Sequence, residues 1–254
     1  MFPVVSSIED LLQALQTERG AFFYDKEIYQ LGLSAQQYAE NVFNSDSFEL
    51  DEKTMFPTKI ASLPNVERQV IQQYIVKPNS IANIELATTV NKMIPLLEDM
   101  ARDTLYLARE QFKWDPFLFS NTLDPVKWTI NIAKYTFITE QSEQLLFPAH
   151  KDWGLLAIYP YVIGPGLEAI VNGQWESVEI PENCLFCYAG DIFSRITDGK
   201  VPALTHRVKQ PKDVIGSRTS IIFYVDPPRH MVLHSGEQVG NIIDSKLRKI
   251  GQIK

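Results

Sequence analysis

From Trp128 onward the chain is cut into short apolar or alternating segments by turn signals: Gly164-Pro165-Gly166, Asn172-Gly173, Gly190-Asp191 and Asp198-Gly199. Such segments are too short for stable helices but suit strands, whose side chains alternate between two faces. Strands at this density must hide their edges, so the second half predicts a barrel or a two-sheet sandwich. Asn172-Gly173, between Leu167–Val171 and Gln174–Val178, carries the signature of a two-residue hairpin, because both residues tolerate positive φ.

The first half has a different period. Ser6 followed by Glu9 resembles a capping box; Leu11, Leu12 and Leu15 supply one apolar face, and Gly20 is the expected stop. A short strand over Ala21–Tyr24 follows. A polar stretch over Ser45–Lys53 and a loop holding Pro57 and Pro64 come next. Then Ile84, Ala87, Val90, Ile94, Leu97, Ala101, Leu105, Ala108 and Phe112 recur at intervals of three and four. That spacing predicts a long amphipathic helix, kinked near Pro95. The character changes at Asp124-Pro125, and Asn241–Lys249 reads as a last helix. The expected organisation is a helical region over 1–125, a strand-rich core over 126–230 and a C-terminal segment over 231–254. With no repeat, low-complexity tract or linker, the halves are expected to share one core.

Composition narrows the function classes. Of 254 residues 45% are hydrophobic and 22% charged, ordinary for a globular protein, and the net charge of -7 does not suit a nucleic-acid backbone. No apolar run approaches the roughly 20 residues of a membrane helix, and the opening Met1–Val5 lacks a signal-peptide pattern. A cytoplasmic protein with no membrane or nucleic-acid partner is expected; a monomer is compatible with this, and oligomeric state is not legible. Cys184 and Cys187 are the two cysteines. They sit in an apolar run without a histidine or second pair to complete a zinc site, which predicts two reduced, core-packed thiols on opposite strand faces.

The chain has four histidines, and His150 stands in Pro148-Ala149-His150-Lys151-Asp152. Residues two apart on a strand share a face, so His150 and Asp152 can reach one point. Two imidazoles and one carboxylate on one face of an octahedron suit Fe(II) and leave the other face open. His206, in Thr205-His206-Arg207-Val208 at the start of another expected strand, is the candidate third ligand. Arg218 and Ser220 open the run Ile221–Val225 and share a face by the same argument. A guanidinium fork beside a hydroxyl is what a buried dicarboxylate requires.

The order His150-Lys151-Asp152, Gly166-Leu167, Asn172-Gly173 with Trp175, Gly190-Asp191, Thr197-Asp198-Gly199, His206-Arg207-Val208, Arg218-Thr219-Ser220 and Pro227-Pro228 resembles the isopenicillin N synthase-like branch of the 2-oxoglutarate/Fe(II) dioxygenases. The match runs from about Ile130 to Pro228, and Glu18–Tyr24 is similar to the family's early Gly-Phe-Phe strand. The resemblance implies a mainly β fold with α: a double-stranded β-helix, the jelly roll or cupin-like barrel, wrapped by N-terminal helices. It assigns iron to His150, Asp152 and His206, and the distal carboxylate of 2-oxoglutarate to Arg218 and Ser220. Tyr135 stands where many members have a Tyr-Pro that touches co-substrate or substrate, although Thr136 replaces the proline. The implied reaction oxidises a small organic molecule, hydroxylation being the usual outcome, with O2 consumed and succinate and CO2 released.

Other side chains carry blander expectations. Gly190-Asp191 shapes a turn, Lys151 and Trp153 alternate away from the site, Arg207 pairs with a carboxylate near the rim, and His230 and His234 lie on the surface. Three rival readings stay open: an Fe(II) oxidase or cyclase of the same fold that does not consume 2-oxoglutarate, a zinc hydrolase, and a non-catalytic jelly-roll binding module. The hydrolase lacks a glutamate beside the first ligand to serve as base. A binding module has no reason to keep five polar residues facing inward.

Overall fold

The computed structural model describes residues 1–43, 71–76, 84–114, 127–137 and 145–249. The stretch over 45–53, the Pro57/Pro64 loop and the change at Asp124-Pro125 lie outside them. The elements run β1 (Val4–Val5), α1 (Ile8–Thr17), β2 (Gly20–Tyr24), α2 (Lys26–Phe43), β3 (Ile71–Val76), α3 (Ile84–Phe112), β4 (Lys127–Phe137), β5 (Leu145–His150), β6 (Leu156–Ile163), β7 (Leu167–Val171), β8 (Gln174–Ser177), β9 (Cys184–Ala189), α4 (Asp191–Ile196), β10 (His206–Lys209), β11 (Gly216–Asp226) and α5 (Val239–Lys249).

Seven strands form one sheet in the order β1-β2-β9-β6-β11-β4-β3, and four form a second, β5-β10-β7-β8. All pairs are antiparallel except β1 with β2. Strand alternation divides the apolar side chains between two layers. On β9, Cys184, Phe186 and Tyr188 face the space between the sheets, while Leu185, Cys187 and Ala189 face the helices. On β11, Ile222 lies inside and Ile221, Phe223 and Val225 outside. The large sheet is thus buried on both faces, which is why its strands read as nearly unbroken apolar runs. Its outer face packs on α1, α2, α3 and α5, where Leu11, Leu15, Val90, Leu97 and Leu105 are all buried. Burying each such side chain fully is worth about 1.5–3 kcal/mol. This is the double-stranded β-helix with N-terminal helices.

Several local expectations hold. Asn172 and Gly173 both take positive φ (51° and 81°) and join β7 to β8 with Val171 opposite Gln174. The two cysteines are free and buried, one in each layer. Residues 84–112 form one helix that runs through Pro95, whose side chain is exposed and so leaves the buried stripe intact. The last helix starts at Val239.

Others need correction. The N-cap of α1 is Ser7, whose Oγ accepts the Asp10 N–H at 3.1 Å; Ser6 stands one residue too early. The helix ends at Glu18, and Arg19 takes the left-handed conformation (φ 69°) expected of Gly20. Gly20 instead opens β2, where a Cβ would press on Phe2 and Phe186. Helix α2, strand β3 and helix α4 have no counterpart in the sequence reading beyond its general helical expectation for the first half. Among the described residues no helix is long and apolar enough to cross a membrane.

Candidate metal centre and its co-substrate cradle

His206 opens β10 and lies directly opposite His150, the last residue of β5, in an antiparallel pair. Their ring centroids are 4.2 Å apart. Strand pairing alone therefore delivers both imidazoles to one point. Asp152 lies beyond the end of β5, so period-two alternation on a strand does not place it. It is held by the start of α4: the N–H groups of Asp191 and Ile192 donate to the carbonyls of Asp152 and Trp153 at 2.7 and 3.1 Å. Gly190 and Gly154 permit this approach, since a Cβ on Gly190 would lie 2.3 Å from the Gly154 carbonyl oxygen. Gly190-Asp191 is thus the helix start that fixes the Asp152 segment, and the Asp191 carboxylate itself pairs with Lys246 and Arg195.

The two histidine Nε2 atoms lie 3.4 Å (His150) and 3.9 Å (His206) from Asp152 Oδ1. Among the described residues these three form the one group of histidine, cysteine, aspartate or glutamate side chains whose ligand atoms converge, all within 4.8 Å of one another. Each imidazole turns its Nδ1 toward the carbonyl two residues before it, Pro148 at 2.9 Å and Leu204 at 3.4 Å. Nδ1–H donation there fixes the tautomer in which Nε2 keeps a free lone pair, the arrangement a metal ligand requires.

A residue absent from the sequence reading completes this shell. Tyr188, on the inner face of β9, donates its hydroxyl to Asp152 Oδ2 at 2.6 Å and lies 3.2 Å from both His206 Nε2 and the Tyr159 hydroxyl. The donation ties up one carboxylate oxygen and leaves the other for a cation. The available signal was its place in the alternation of an entirely apolar run, which marks it as inward-facing but says nothing of what it meets. Tyr188→Phe, which removes only the hydroxyl, is expected to weaken Co(II) binding about 10–100-fold and to alter the Co(II) visible spectrum, with the fold retained by circular dichroism. An unchanged spectrum and affinity would show that the hydroxyl does not orient Asp152.

Deeper in the barrel, Arg218 and Ser220 share the inner face of β11 and both are buried. Arg218 Nη1 donates to the Gly164 carbonyl at 2.8 Å, and its buried Nε has no partner among the described residues. Tyr135 on β4 is directly opposite Arg218, and burial pushes its phenol up to about 12, so it is a hydrogen-bond donor. Tyr159 and Tyr188 are likewise raised by burial and lie within electrostatic reach of Arg218. A buried guanidinium with an unused N–H, ringed by hydroxyls, fits a carboxylate. Outside the sheet, Glu40 of α2 binds Lys134 at 2.6 Å and Thr219 at 2.5 Å, a cross-strand pair flanking Tyr135 and Arg218. That clamp holds β4 and β11 together behind the cradle.

Other expected positions follow the alternation. Lys151 is exposed, and Trp153 packs on the outer core. Arg207 binds Glu168 at 2.6 Å and stacks 4.0 Å over Trp175. His230 and His234 are exposed and outside the converging group.

Burial sets the charges of the group. It pushes His206 down to about 4, with His150 acting the same way against Asp152. Burial raises Asp152, but His206, His150 and the Tyr188 hydroxyl outweigh it and bring the carboxyl to about 2. Both groups bind protons less readily folded than unfolded. The stability of metal-free protein is therefore complete above the unfolded histidine value of about 6.5 and falls toward pH 4, with a second loss between about 3.9 and 2. The histidine step should be on the order of 3 kcal/mol, read from urea unfolding across that pH range. Flat stability from pH 7 to 4 would contradict it.

Residues 127–227 match the family model of the 2OG-Fe(II) oxygenase superfamily. Gibberellin 2-beta-dioxygenase 7 of Arabidopsis thaliana is 28% identical over 142 residues, which is 56% of this chain and 42% of that protein. The chain thus spans less than half the length of this curated relative. The dioxygenase for auxin oxidation from rice superposes with a TM-score of 0.72 at 12% identity, covering 98% of this chain and 95% of that one. Its Arabidopsis thaliana counterpart, a 2-oxoglutarate binary complex, gives 0.69 at 18%, covering 94% and 100%. The fold is shared over nearly the whole chain, and the match to the 2OG-Fe(II) oxygenase superfamily model lies over the strands that carry the site.

Proposed function

We propose that this protein is an Fe(II)- and 2-oxoglutarate-dependent dioxygenase that oxidises, as a rule hydroxylates, a small organic substrate. The observation that carries the reading is the joint arrangement of a His-Asp-His group and, deeper in the same barrel, a buried arginine with an unsatisfied N–H. In this reading His150, Asp152 and His206 hold iron, and Arg218, Ser220 and Tyr135 receive the far carboxylate of 2-oxoglutarate. When bound, the two supply dioxygen activation and the oxidising equivalents, with succinate and CO2 as by-products.

The protein's contribution is orientation and exclusion of water. The Nδ1–H donors keep both imidazoles neutral and aimed. Tyr188 holds the Asp152 carboxylate so that Oδ1 is offered to the metal. Three carboxylate or imidazole ligands leave half an octahedron open. Arg218 neutralises one end of the dicarboxylate where solvation is lost, and the tyrosine hydroxyls supply further donors. The inner layer around Phe186, Tyr159 and Ile222 is closed to solvent, so these side chains would keep bulk water away from a bound co-substrate.

The test is spectroscopic. Anaerobic protein with Fe(II) and 2-oxoglutarate is expected to develop the visible metal-to-ligand charge-transfer band of a chelated 2-oxo acid, and aerobic protein to form succinate. Absence of both the band and any affinity for 2-oxoglutarate would sink the reading. A band without substrate-dependent succinate would favour an oxidase that does not consume 2-oxoglutarate.

A further inference from the structure

We infer that Asp226 is the substrate-facing carboxylate of this site and that the substrate it fits carries a protonated nitrogen. The inference rests on the oxygenase reading for what the site does, but its own support is geometric.

The alternation along β11 sends Arg218, Ser220, Ile222 and Tyr224 to the interior, with Ile221, Phe223 and Val225 in the outer core. Asp226 is the next inward position and closes the strand at the end opposite Arg218. At ~3.4 Å per residue, the two positions are roughly 27 Å apart along the strand. Asp226 lies beside the Asp152 segment, since the carbonyl of the preceding Val225 accepts the Leu155 N–H at 2.7 Å. Its Oδ1 rests against Gly154, where a Cβ would approach to 2.7 Å, and Gly154 follows Asp152 by two residues. Asp152 and Tyr224 are both within its electrostatic reach.

What sets Asp226 apart is the lack of a partner. The other part-buried carboxylates of the sheets and their flanks are satisfied: Asp152 by Tyr188, Glu40 by Lys134 and Thr219, Glu168 by Arg207, Asp191 by Lys246 and Arg195. Asp226 is only part-exposed, yet among the described residues no side-chain hydrogen bond or cation reaches it. Burial and the Asp152 charge push it up to about 6, with nothing acting the other way. A desolvated carboxylate without a partner is costly, and chains retain such groups where a ligand supplies the missing one. A carboxylate left without a partner there repels an acidic substrate and attracts a cation. The neighbouring Tyr224 ring offers an aromatic wall against which an ammonium group is further stabilised.

The experiment compares three probes of one shape: 2-phenylethylamine, 2-phenylethanol and 3-phenylpropanoate. Each is titrated calorimetrically into anaerobic Fe(II)·2-oxoglutarate protein, wild type and Asp226→Asn, with the charge-transfer band recorded alongside. Wild type is expected to bind the amine at least about tenfold more tightly than the alcohol or the acid, and Asp226→Asn to lose that preference. Equal affinities in wild type, binding of none of the three, or a preference that persists in the variant would overturn the proposal; an alcohol as tight as the amine would overturn its charge requirement. An Asp226-dependent amine preference without the charge-transfer band would sink the oxygenase reading alone. A band without the preference would sink only this one.

Discussion

Replacing His206 with alanine is expected to abolish the anaerobic charge-transfer band and to lower metal affinity by more than the roughly 10–100-fold typical of outer-shell changes. His206 is 2% exposed and cross-strand to His150, so no neighbouring side chain can substitute for it. Removing the ring leaves His150 and Asp152 as a two-ligand site, which binds iron too weakly to survive gel filtration. The acid-stability loss tied to protonating this imidazole should disappear with it, and the fold is expected to be retained at neutral pH. Circular dichroism together with iron content checks both halves. Retention of stoichiometric iron would exclude His206 as a ligand.

Arg218→Met should produce effects of opposite sign on binding and on stability. Truncating one partner of a buried, hydrogen-bonded charge pair costs about 2–5 kcal/mol, so 2-oxoglutarate affinity should fall by roughly two orders of magnitude. Yet in the absence of 2-oxoglutarate the wild-type guanidinium is buried with an unpartnered Nε. An apolar chain of similar volume removes that desolvation cost, so the free variant should melt at the same temperature as wild type or higher. Wild type is expected to gain stability from added 2-oxoglutarate by mass action, and the variant is not. Thermal unfolding with and without 2-oxoglutarate separates these outcomes. A variant that keeps the ligand-induced shift would rule out Arg218 as the anchor.

The legible parts of the fold were those set by local chemistry. The Asn172-Gly173 hairpin was readable because two consecutive positive φ values leave few residue choices. The long helix α3 was readable because its buried stripe repeats at helical spacing for the whole length, and an exposed Pro95 does not interrupt it. Helix α4 was not readable: at six residues it has too few turns for a period, and it starts on glycine without a side-chain cap. Its role is tertiary, since its first N–H groups hold the backbone of Asp152. Ser7 displaced Ser6 as the cap of α1 because two adjacent serines satisfy the same local rule and only the packing of Leu11, Leu12 and Leu15 selects between them.

The candidate site divides along the same line. Ligand chemistry by itself singled out His150, Asp152 and His206 as the residues to bring together, and strand period put Arg218 and Ser220 on one face. These depend on residue type and on alternation, both of which are local. Tertiary structure alone decided that Asp152 is aimed by a helix start and not by a strand, that Tyr188 holds its second oxygen, and that Asp226 lies against Gly154 with no partner among the described residues. Each depends on which segments distant in the chain are pressed together, and hydrogen bonds of that kind leave no periodic trace in the order of residues.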